Sequence, residues 1–548
     1  MATILVTGSK GQLGNELQEI AKYKPEHKYV FVDVDELDIT DRSAVNEFFR
    51  VNRFEICINC AAYTAVDKAE TDRELAHKIN VEGVENLAFA CEQLNSVLFH
   101  ISTDFVFDGD ATEPYDVDHP VNPISVYGQT KAEGEYRALS VNRKTILIRT
   151  SWVYSFYGNN FVKTMIRLGK ERSELNVVND QTGVPTYAGD LAAVIFNFID
   201  HLHNIEYGIY HYSNSGITTW FGFASEIMHL YGLNCKINPI TTDQYPTAAK
   251  RPKFSLLAVN KTIKTLDIKI SDWKLSLKHV IHLLKNNEML EQIDINKIIS
   301  ITEEAGREIM KIYDTDDFAI TDKSDKSPLT KADRAGNAII IAALNESYPD
   351  IPIISEENKM IEYSERKDWE YFWLVDPLDG TKEFIKKNGE FTVNIALIRN
   401  GKPVLGVVGI PAKNQIYYAV ENKGAFKIDA DGIKTKLQIN EPKENEIALI
   451  GSRSHPSPEF DVYLKEMEGK YSTVNFVPAG SSLKFCLVAE GKADVYPRLG
   501  PTMEWDTAAG HALVLEAGAR VKIYGDTKDL QYNKESLLNP FFIVEKAL

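Results

Sequence analysis

Apolar runs and helix-period segments alternate through the first half of the chain. Residues 2–7 form an apolar run, after which Leu13, Leu17 and Ile20 recur at helical spacing. A second strand is expected at 29–33, and residues 38–41, 59–64 and 102–104 follow the ends of later strands. This alternation predicts an α/β fold with a doubly wound parallel sheet. A helical pattern at 275–284 closes this half, and the polar, unpatterned stretch 285–288 reads as a linker. Ile298, Ile301, Ala305 and Ile309 then return at helical spacing and open a second domain. The expected division is 1–286 and 290–548. In the second part Trp373, Leu374 and Val375 read as a buried strand, and 388–397 and 406–411 read as paired strands of a mixed sheet. There is no short-period repeat or low-complexity tract.

Composition bounds the picture without changing it. A chain of 548 residues with 44% hydrophobic and 25% charged content is ordinary globular protein with room for several cores. The net charge of −17 argues against a nucleic-acid duplex as partner. No apolar run is long enough to span a bilayer, and the chain enters a strand at once, without a signal-peptide pattern. Five cysteines make no disulfide framework. Cys57 and Cys60 lie in a strand-like run, where residues three apart face opposite ways, so they read as unrelated buried thiols. The expected location is cytoplasmic.

The first chemistry lies where the first strand meets the first helix. Gly8, Gly11 and Gly14, with Lys10, Gln12 and Leu13, fall at that junction. Glycines there let a pyrophosphate approach backbone N–H groups at the positive end of a helix. Asp33 ends the second strand, where a cofactor ribose would lie, and Asp38, Ile39, Ala61, Ala62 and Thr64 lie at later strand ends. Tyr127 and Lys131 are four apart, so on a helix they share a face. A nearby ammonium lowers a phenol pKa, which suits proton donation to a ketone.

Joined to Ser102 and Thr103, these residues resemble the extended short-chain dehydrogenase/reductase family. The motifs at 59–70, 102–109, 149–154 and 180–186, with Arg251, Pro252 and Ser255, narrow the likeness to the dTDP-4-dehydrorhamnose reductase family. The resemblance covers about residues 1–285 and implies a Rossmann-type sheet with a small substrate domain. It implies NADH- or NADPH-dependent reduction of the 4-keto group of dTDP-4-dehydro-L-rhamnose. Tyr127 would donate the proton, Lys131 would tune it, Thr103 would help hold the carbonyl, and Asp104 and Trp152 would contact the sugar. Phe105 departs from the tyrosine often found there. Read from residue type alone, Trp152 could be core, Asp180 and Gln181 could cap a turn, and Arg251 could be an ion-pair residue instead of a diphosphate contact. Asp33 favours NADH by repelling a 2′-phosphate, whereas Lys10 could attract one, so cofactor preference stays open.

Three acidic clusters organise the second half. Asp376 and Asp379 flank Pro377 and Leu378 ahead of a Gly380 turn, Glu356 and Glu357 end another apolar run, and Asp506 opens a small-residue helix. Pro377 is expected to stop the strand ladder, and Gly380 to permit the tight turn. Carboxylates at that range repel, so a divalent cation is their natural occupant. In this order the clusters resemble the inositol monophosphatase superfamily of magnesium-dependent phosphatases, whose layered α/β sugar-phosphatase fold carries mixed sheets. The segments 376–385, 480–491 and 496–501 are similar to the bacterial 3′(2′),5′-bisphosphate nucleotidase branch, from about residue 290 onward. That implies hydrolysis of adenosine 3′,5′-bisphosphate to AMP and phosphate. Glu356, Asp376, Asp379, Asp506 and the carbonyl of Leu378 would hold Mg²⁺. Asp333 and Thr381 would orient the attacking water, Gly380 and Thr381 would offer backbone donors, and Ser481, Lys484 and Arg498 would bind phosphates. Thr330 and Asp333 also read as a helix N-cap with a charged first turn. Arg453 and His455 are further candidate contacts, and the charged loop 316–327 reads as solvated, with a lid as the alternative.

The combined expectation is a bifunctional enzyme acting on small molecules, with no nucleic-acid partner and a homodimer left open. Rival readings make the first half a non-catalytic nucleotide-binding module, the second half an inositol or sugar monophosphatase, or the fusion a scaffold active in one half.

Overall fold

The computed structural model describes residues 1–315, 321–322, 328–440, 443–452 and 458–546. Most of the 316–327 loop, and with it the lid reading, lies outside the described residues, as do Arg453 and His455. The chain folds as two compact units, Met1–Met289 and Leu290–Leu548. Among the described residues no helix is long and apolar enough to cross a membrane. All five cysteines are free, with Cys57 buried and Cys60 partly so.

The first unit is built on a six-stranded parallel sheet. Its spatial order is Gly208–His211, Thr145–Thr150, Val97–Thr103, Ile56–Asn59, Thr3–Thr7 and Lys28–Val32. Alternation along the strands divides the core. Ile4, Val6, Ile58 and Phe99 pack against Leu13, Leu17, Leu191 and Ile195, while Leu5, Cys57 and Leu98 pack on the other face against Val45, Phe49, Val84 and Leu87. Both faces are covered, which is why the strands read as unbroken apolar runs. A smaller layer places the parallel pair Glu174–Val178 and Lys236–Ile240 beside the helices Phe161–Glu171 and Trp220–Tyr231.

The linker expected at 285–288 is instead helical, part of Trp273–Glu291. Lys170 donates to Glu288 at 2.5 Å, and the Tyr231 hydroxyl bonds the same carboxylate. Polar residues held by such partners continue a helix without an apolar stripe.

The second unit centres on a seven-stranded mixed sheet. Ile353–Ser355 pairs parallel with Tyr371–Asp379; Thr392–Arg399, Lys402–Ile410, Gln415–Val420, Gly424–Ile428 and Lys434–Leu437 follow antiparallel. Pro377 does not stop its strand. The ladder resumes at Asp379 after a register shift, so the missing N–H is absorbed as an irregularity. Helices cover both faces of Lys402–Ile410, each close to a glycine: a Cβ on Gly409 would lie 2.7 Å from Thr302 of Ile295–Tyr313, and one on Gly406 would lie 2.4 Å from the Ala509 carbonyl of Glu504–Glu516. The second contact sets the height of the helix that carries Asp506. Gly406→Ala should therefore destabilise the second unit by about 1–3 kcal/mol, through overpacking against backbone that cannot yield. Gly469→Ala, at a helical glycine with open space around it, should leave stability unchanged or improved. Urea denaturation measures both, and equal midpoints for the two variants would refute the packing argument.

Candidate functional sites

The ends of the parallel strands gather the expected dinucleotide residues at one edge. Gly8 has φ +64, and a Cβ on it would meet the Ala61 nitrogen at 2.6 Å. Only glycine lets this turn touch the segment that carries Ala61, Ala62 and Thr64. Gly14 is equally confined, 2.5 Å from the Gly8 carbonyl, while Gly11 would meet only that carbonyl at 3.2 Å and is open elsewhere. Gly8 and Gly14 are thus required by close backbone packing, and Gly11 is not. Gln12 and Leu13 begin the helix Gln12–Ala21, with Gln12 accepting from Asn160 at 3.0 Å and Leu13 buried. Asp33 Oδ2 accepts from the Lys10 backbone N–H at 3.0 Å. The Lys10 ammonium is already paired, at 2.9 Å to Asp35 and 3.3 Å to Glu36. Asp38 accepts from the Thr40 N–H and hydroxyl, which holds its carboxyl below the usual range, and Ile39 is buried against Gly83.

Tyr127 and Lys131 lie on the helix Val126–Val141, capped by Ser125, and both are buried. Lys131 Nζ donates to the Ile101 carbonyl at 2.7 Å; burial brings its pKa down to about 8, against the pull of Glu135. The expected depression of the Tyr127 phenol is not found. Burial pushes it above the ordinary phenol value, the Thr103 hydroxyl pulls the other way, and the Asp104 charge pushes it further up. Desolvation is the largest of these causes. Asp104 accepts from Thr103 Oγ1 at 3.0 Å, and burial raises it to about 6.

Trp152 is half-buried and adopts φ +47, a conformation side chains other than glycine rarely hold. Its indole stacks on Trp220 at 3.7 Å between ring centres. Gly183 makes the slot: a Cβ there would lie 2.7 Å from the indole and 2.8 Å from Ser255 Oγ. Phe105 meets the Tyr127 ring edge-on at 5.5 Å. Arg251 forms a two-pronged ion pair with Asp67, at 2.6 and 3.0 Å. Asp180 and Gln181 both bond Thr242 and hold that turn.

In the second unit three segments deliver carboxylates to one point. Oxygens of Glu356, Asp376 and Asp506 lie within 4.8 Å of one another. Glu356 follows Ile353–Ser355, Asp376 lies in Tyr371–Asp379, and Asp506 occupies the first turn of Glu504–Glu516, accepting from the Met503 N–H at 2.8 Å. Burial, then mutual repulsion, drives Asp376 and Asp506 well above the aspartate range. Asp379 is raised by burial too, but Lys484 and Ser482 draw it down. Clustered, buried, hard oxygen donors fit a divalent cation of the magnesium type, whose charge would remove the repulsion. The Leu378 carbonyl and Thr381 Oγ1 lie 3.5 Å apart, and Thr381 also reaches Asp333 Oδ1 at 3.3 Å. Asp333 in turn caps its own helix through Thr330.

Gly380, with φ +92, opens the short helix Thr381–Ile385 and abuts Ser481, itself at φ +40. Lys484 is buried and donates to the Ser481 carbonyl at 2.6 Å. Burial, then the Arg498 charge, lowers its pKa to about 8. Arg498 donates to the Pro501 carbonyl at 2.9 Å and has its buried Nε without a protein partner among the described residues. The structure adds three residues that the sequence reading passed over: Trp220 beneath Trp152, and Ser482 and Asn394 behind Asp379. Ser482 stood inside a recognised motif. Asn394 and Trp220 gave no signal, because both reach their sites through packing between distant segments.

Residues 1–286 match the RmlD substrate binding domain family and residues 289–540 the inositol monophosphatase family. A dTDP-4-dehydrorhamnose reductase from Aggregatibacter actinomycetemcomitans is 41% identical over 290 residues, covering 51% of this chain and 98% of that protein. The 3′(2′),5′-bisphosphate nucleotidase CysQ of Salmonella typhimurium is 47% identical over 258 residues, covering 47% of this chain and 99% of the relative. Among solved structures, a dTDP-4-dehydrorhamnose reductase from Clostridium acetobutylicum aligns with TM-score 0.50 and 46% identity over 52% of this chain and 99% of that one. The chain therefore belongs to two families, the RmlD substrate binding domain family through its first half and the inositol monophosphatase family through its second.

Proposed function

We propose that the chain is a bifunctional enzyme: an NAD(P)H-dependent reductase of dTDP-4-dehydro-L-rhamnose and a Mg²⁺-dependent 3′(2′),5′-bisphosphate nucleotidase acting on adenosine 3′,5′-bisphosphate. The observation that carries this reading is that each compact unit holds its own set of reacting groups, Thr103, Tyr127 and Lys131 in one and the carboxylate cluster with Lys484 in the other.

In the reductase a bound nicotinamide supplies the hydride. Thr103 fixes the ketone oxygen, and Tyr127 gives it the proton as the carbonyl carbon is reduced. The Lys131 charge offsets the phenolate left behind. Asp104 and Trp152 hold the sugar ring, and the Trp220 stack keeps the indole in its constrained backbone position. Lys10 is hemmed by Asp33, Asp35 and Glu36, so a 2′-phosphate would meet three carboxylates and an ammonium already paired. NADH is the favoured cofactor on that balance.

In the nucleotidase a bound divalent cation lowers the pKa of a water and offsets charge on the phosphoryl oxygens. Glu356, Asp376, Asp379, Asp506 and the Leu378 carbonyl would hold it. Asp333 and Thr381, already in contact, orient the attacking water. Ser481, Lys484 and Arg498 grip the phosphates, the arginine as a planar fork and the lysine as a point charge. Lys484 and Arg498 together favour a substrate with two phosphates, so inositol monophosphate should release phosphate much more slowly than the bisphosphate.

Tyr127→Phe should lower ketone reduction by about 10²- to 10⁴-fold while dinucleotide binding persists. Near-normal turnover would remove Tyr127 from its role. Asp379→Asn should abolish phosphate release and leave reduction untouched; equal loss of both activities would contradict independent sites.

The acid cluster also fixes a pH dependence. Folded-state pKa values of Asp376, Asp379 and Asp506 lie above the ordinary aspartate value of 3.8, so the folded unit binds more protons than the unfolded chain. The cluster's contribution to stability without metal is then greatest at low pH and is lost as pH rises through the raised values. Thermal unfolding of the intact chain in chelator should show the second unit weakening as pH rises above the ordinary aspartate range, with Mg²⁺ reducing or reversing that slope. Parallel slopes with and without Mg²⁺ would show that the cluster takes no cation.

A further inference from the structure

We propose that Ser482, oriented by Asn394, is a positioning residue that fixes the Asp379 carboxylate for metal binding. The inference rests on the reading of Asp379 as a metal ligand. Both residues are buried, 2% and 1% exposed. Ser482 Oγ lies 2.9 Å from Asp379 Oδ2 and 2.7 Å from the Asp506 carbonyl oxygen, and Asn394 Nδ2 donates to it at 3.0 Å. A hydroxyl has one proton and two lone pairs. Asn394 fills a lone pair, so the Ser482 proton is left for the two acceptors on the metal side, the Asp379 carboxylate and the Asp506 carbonyl.

One small side chain therefore ties an expected ligand to the backbone of another. It does so from a third segment, immediately before the helix Leu483–Ala489. Asn394 is itself well placed to hold it. It sits directly opposite Asp376 in the antiparallel register, on the same face of the sheet, so the chain Asn394–Ser482–Asp379 links the strand that carries Asp376 to its neighbour. The Asn394 Oδ1 is buried with no protein partner among the described residues. An acceptor left over beside a metal cluster suits a proton of a metal-bound water, which would fix the amide's orientation in turn.

The hydroxyl sets Asp379 apart from its neighbours: Asp376 and Asp506 each take a backbone N–H, from Leu378 and Met503, whereas Asp379 takes a side-chain donor. Without the hydroxyl, Asp379 keeps the Ser482 backbone N–H but loses its side-chain tie to the Asp506 backbone.

The test is calorimetric titration of the metal-stripped intact chain with Mg²⁺, alongside phosphate release as a function of Mg²⁺, for wild type, Ser482→Ala, Asn394→Ala and Asp379→Asn. Alanine fits the space of serine, so Ser482→Ala should fold. It should bind Mg²⁺ about tenfold or more weakly, and saturating Mg²⁺ should restore most of kcat. Asn394→Ala should shift metal affinity in the same direction, and it keeps the question answerable if Ser482→Ala is unstable. NADH oxidation should be unchanged in both. Wild-type Mg²⁺ affinity in Ser482→Ala, while Asp379→Asn binds weakly, would overturn the positioning role and leave the metal site intact. A wild-type chain that takes up no Mg²⁺ would overturn the metal reading and the positioning role with it.

Discussion

Burying ionisable groups at the ends of strands is the constraint on which both units depend. A charged group removed from water is costly unless paired or hydrogen-bonded, and here each is given a specific partner. Lys131 is held by a backbone carbonyl, Asp104 by the Thr103 hydroxyl, and Lys484 by the Ser481 carbonyl. The three carboxylates of the second unit are the exception: Asp376 and Asp506 each accept a backbone N–H, yet oxygens of all three lie within 4.8 Å of one another. That imbalance is tolerable in a protein that takes up a cation, and it sets the second unit apart from a merely acidic surface turn. The same desolvation that costs stability shifts these groups toward working pH, where they can exchange protons or grip phosphate.

The backbone serves this placement. In the first unit, parallel strands covered on both faces leave only their ends free, so the glycine loop, the acidic turn at Asp33 and the Thr103 segment converge at one edge. In the second, a proline-induced irregularity carries the strand past Asp376 to Asp379, and the Gly380 turn then brings Thr381 back toward Asp333. Gly406 allows the helix bearing Asp506 to lie directly on the sheet. Small residues and strained turns thus occur where segments must approach closely.

Much of this was legible in the sequence, for physical reasons that differ by element. The parallel sheet was, because strands buried on both faces cannot avoid being apolar throughout. The glycine loop and the Gly380 turn were, because Gly8 and Gly380 hold positive φ and Gly14 packs against backbone. Pro377 was misread, since a proline removes one hydrogen bond but a mixed sheet can shift register around it. The helix through 285–288 was missed because its turns are held by Lys170 and Tyr231, far away in sequence. The lowering of the Tyr127 phenol by Lys131 was read from spacing alone, whereas burial governs that phenol. Trp220, Asn394 and Ser482 act through contacts between distant segments, which no local pattern encodes.

Nothing in the chemistry passes from one unit to the other, so the two activities belong to two separate sets of residues on one chain. The most direct test is to supply one preparation of the intact chain with dTDP-4-dehydro-L-rhamnose and follow oxidation of NADH and of NADPH, then supply the same preparation with adenosine 3′,5′-bisphosphate and Mg²⁺ and follow phosphate release. Both activities should be present, with NADH oxidised faster than NADPH. Phosphate release with no oxidation of either cofactor would contradict the claim, leaving the first half a binding module despite its Tyr127 and Lys131.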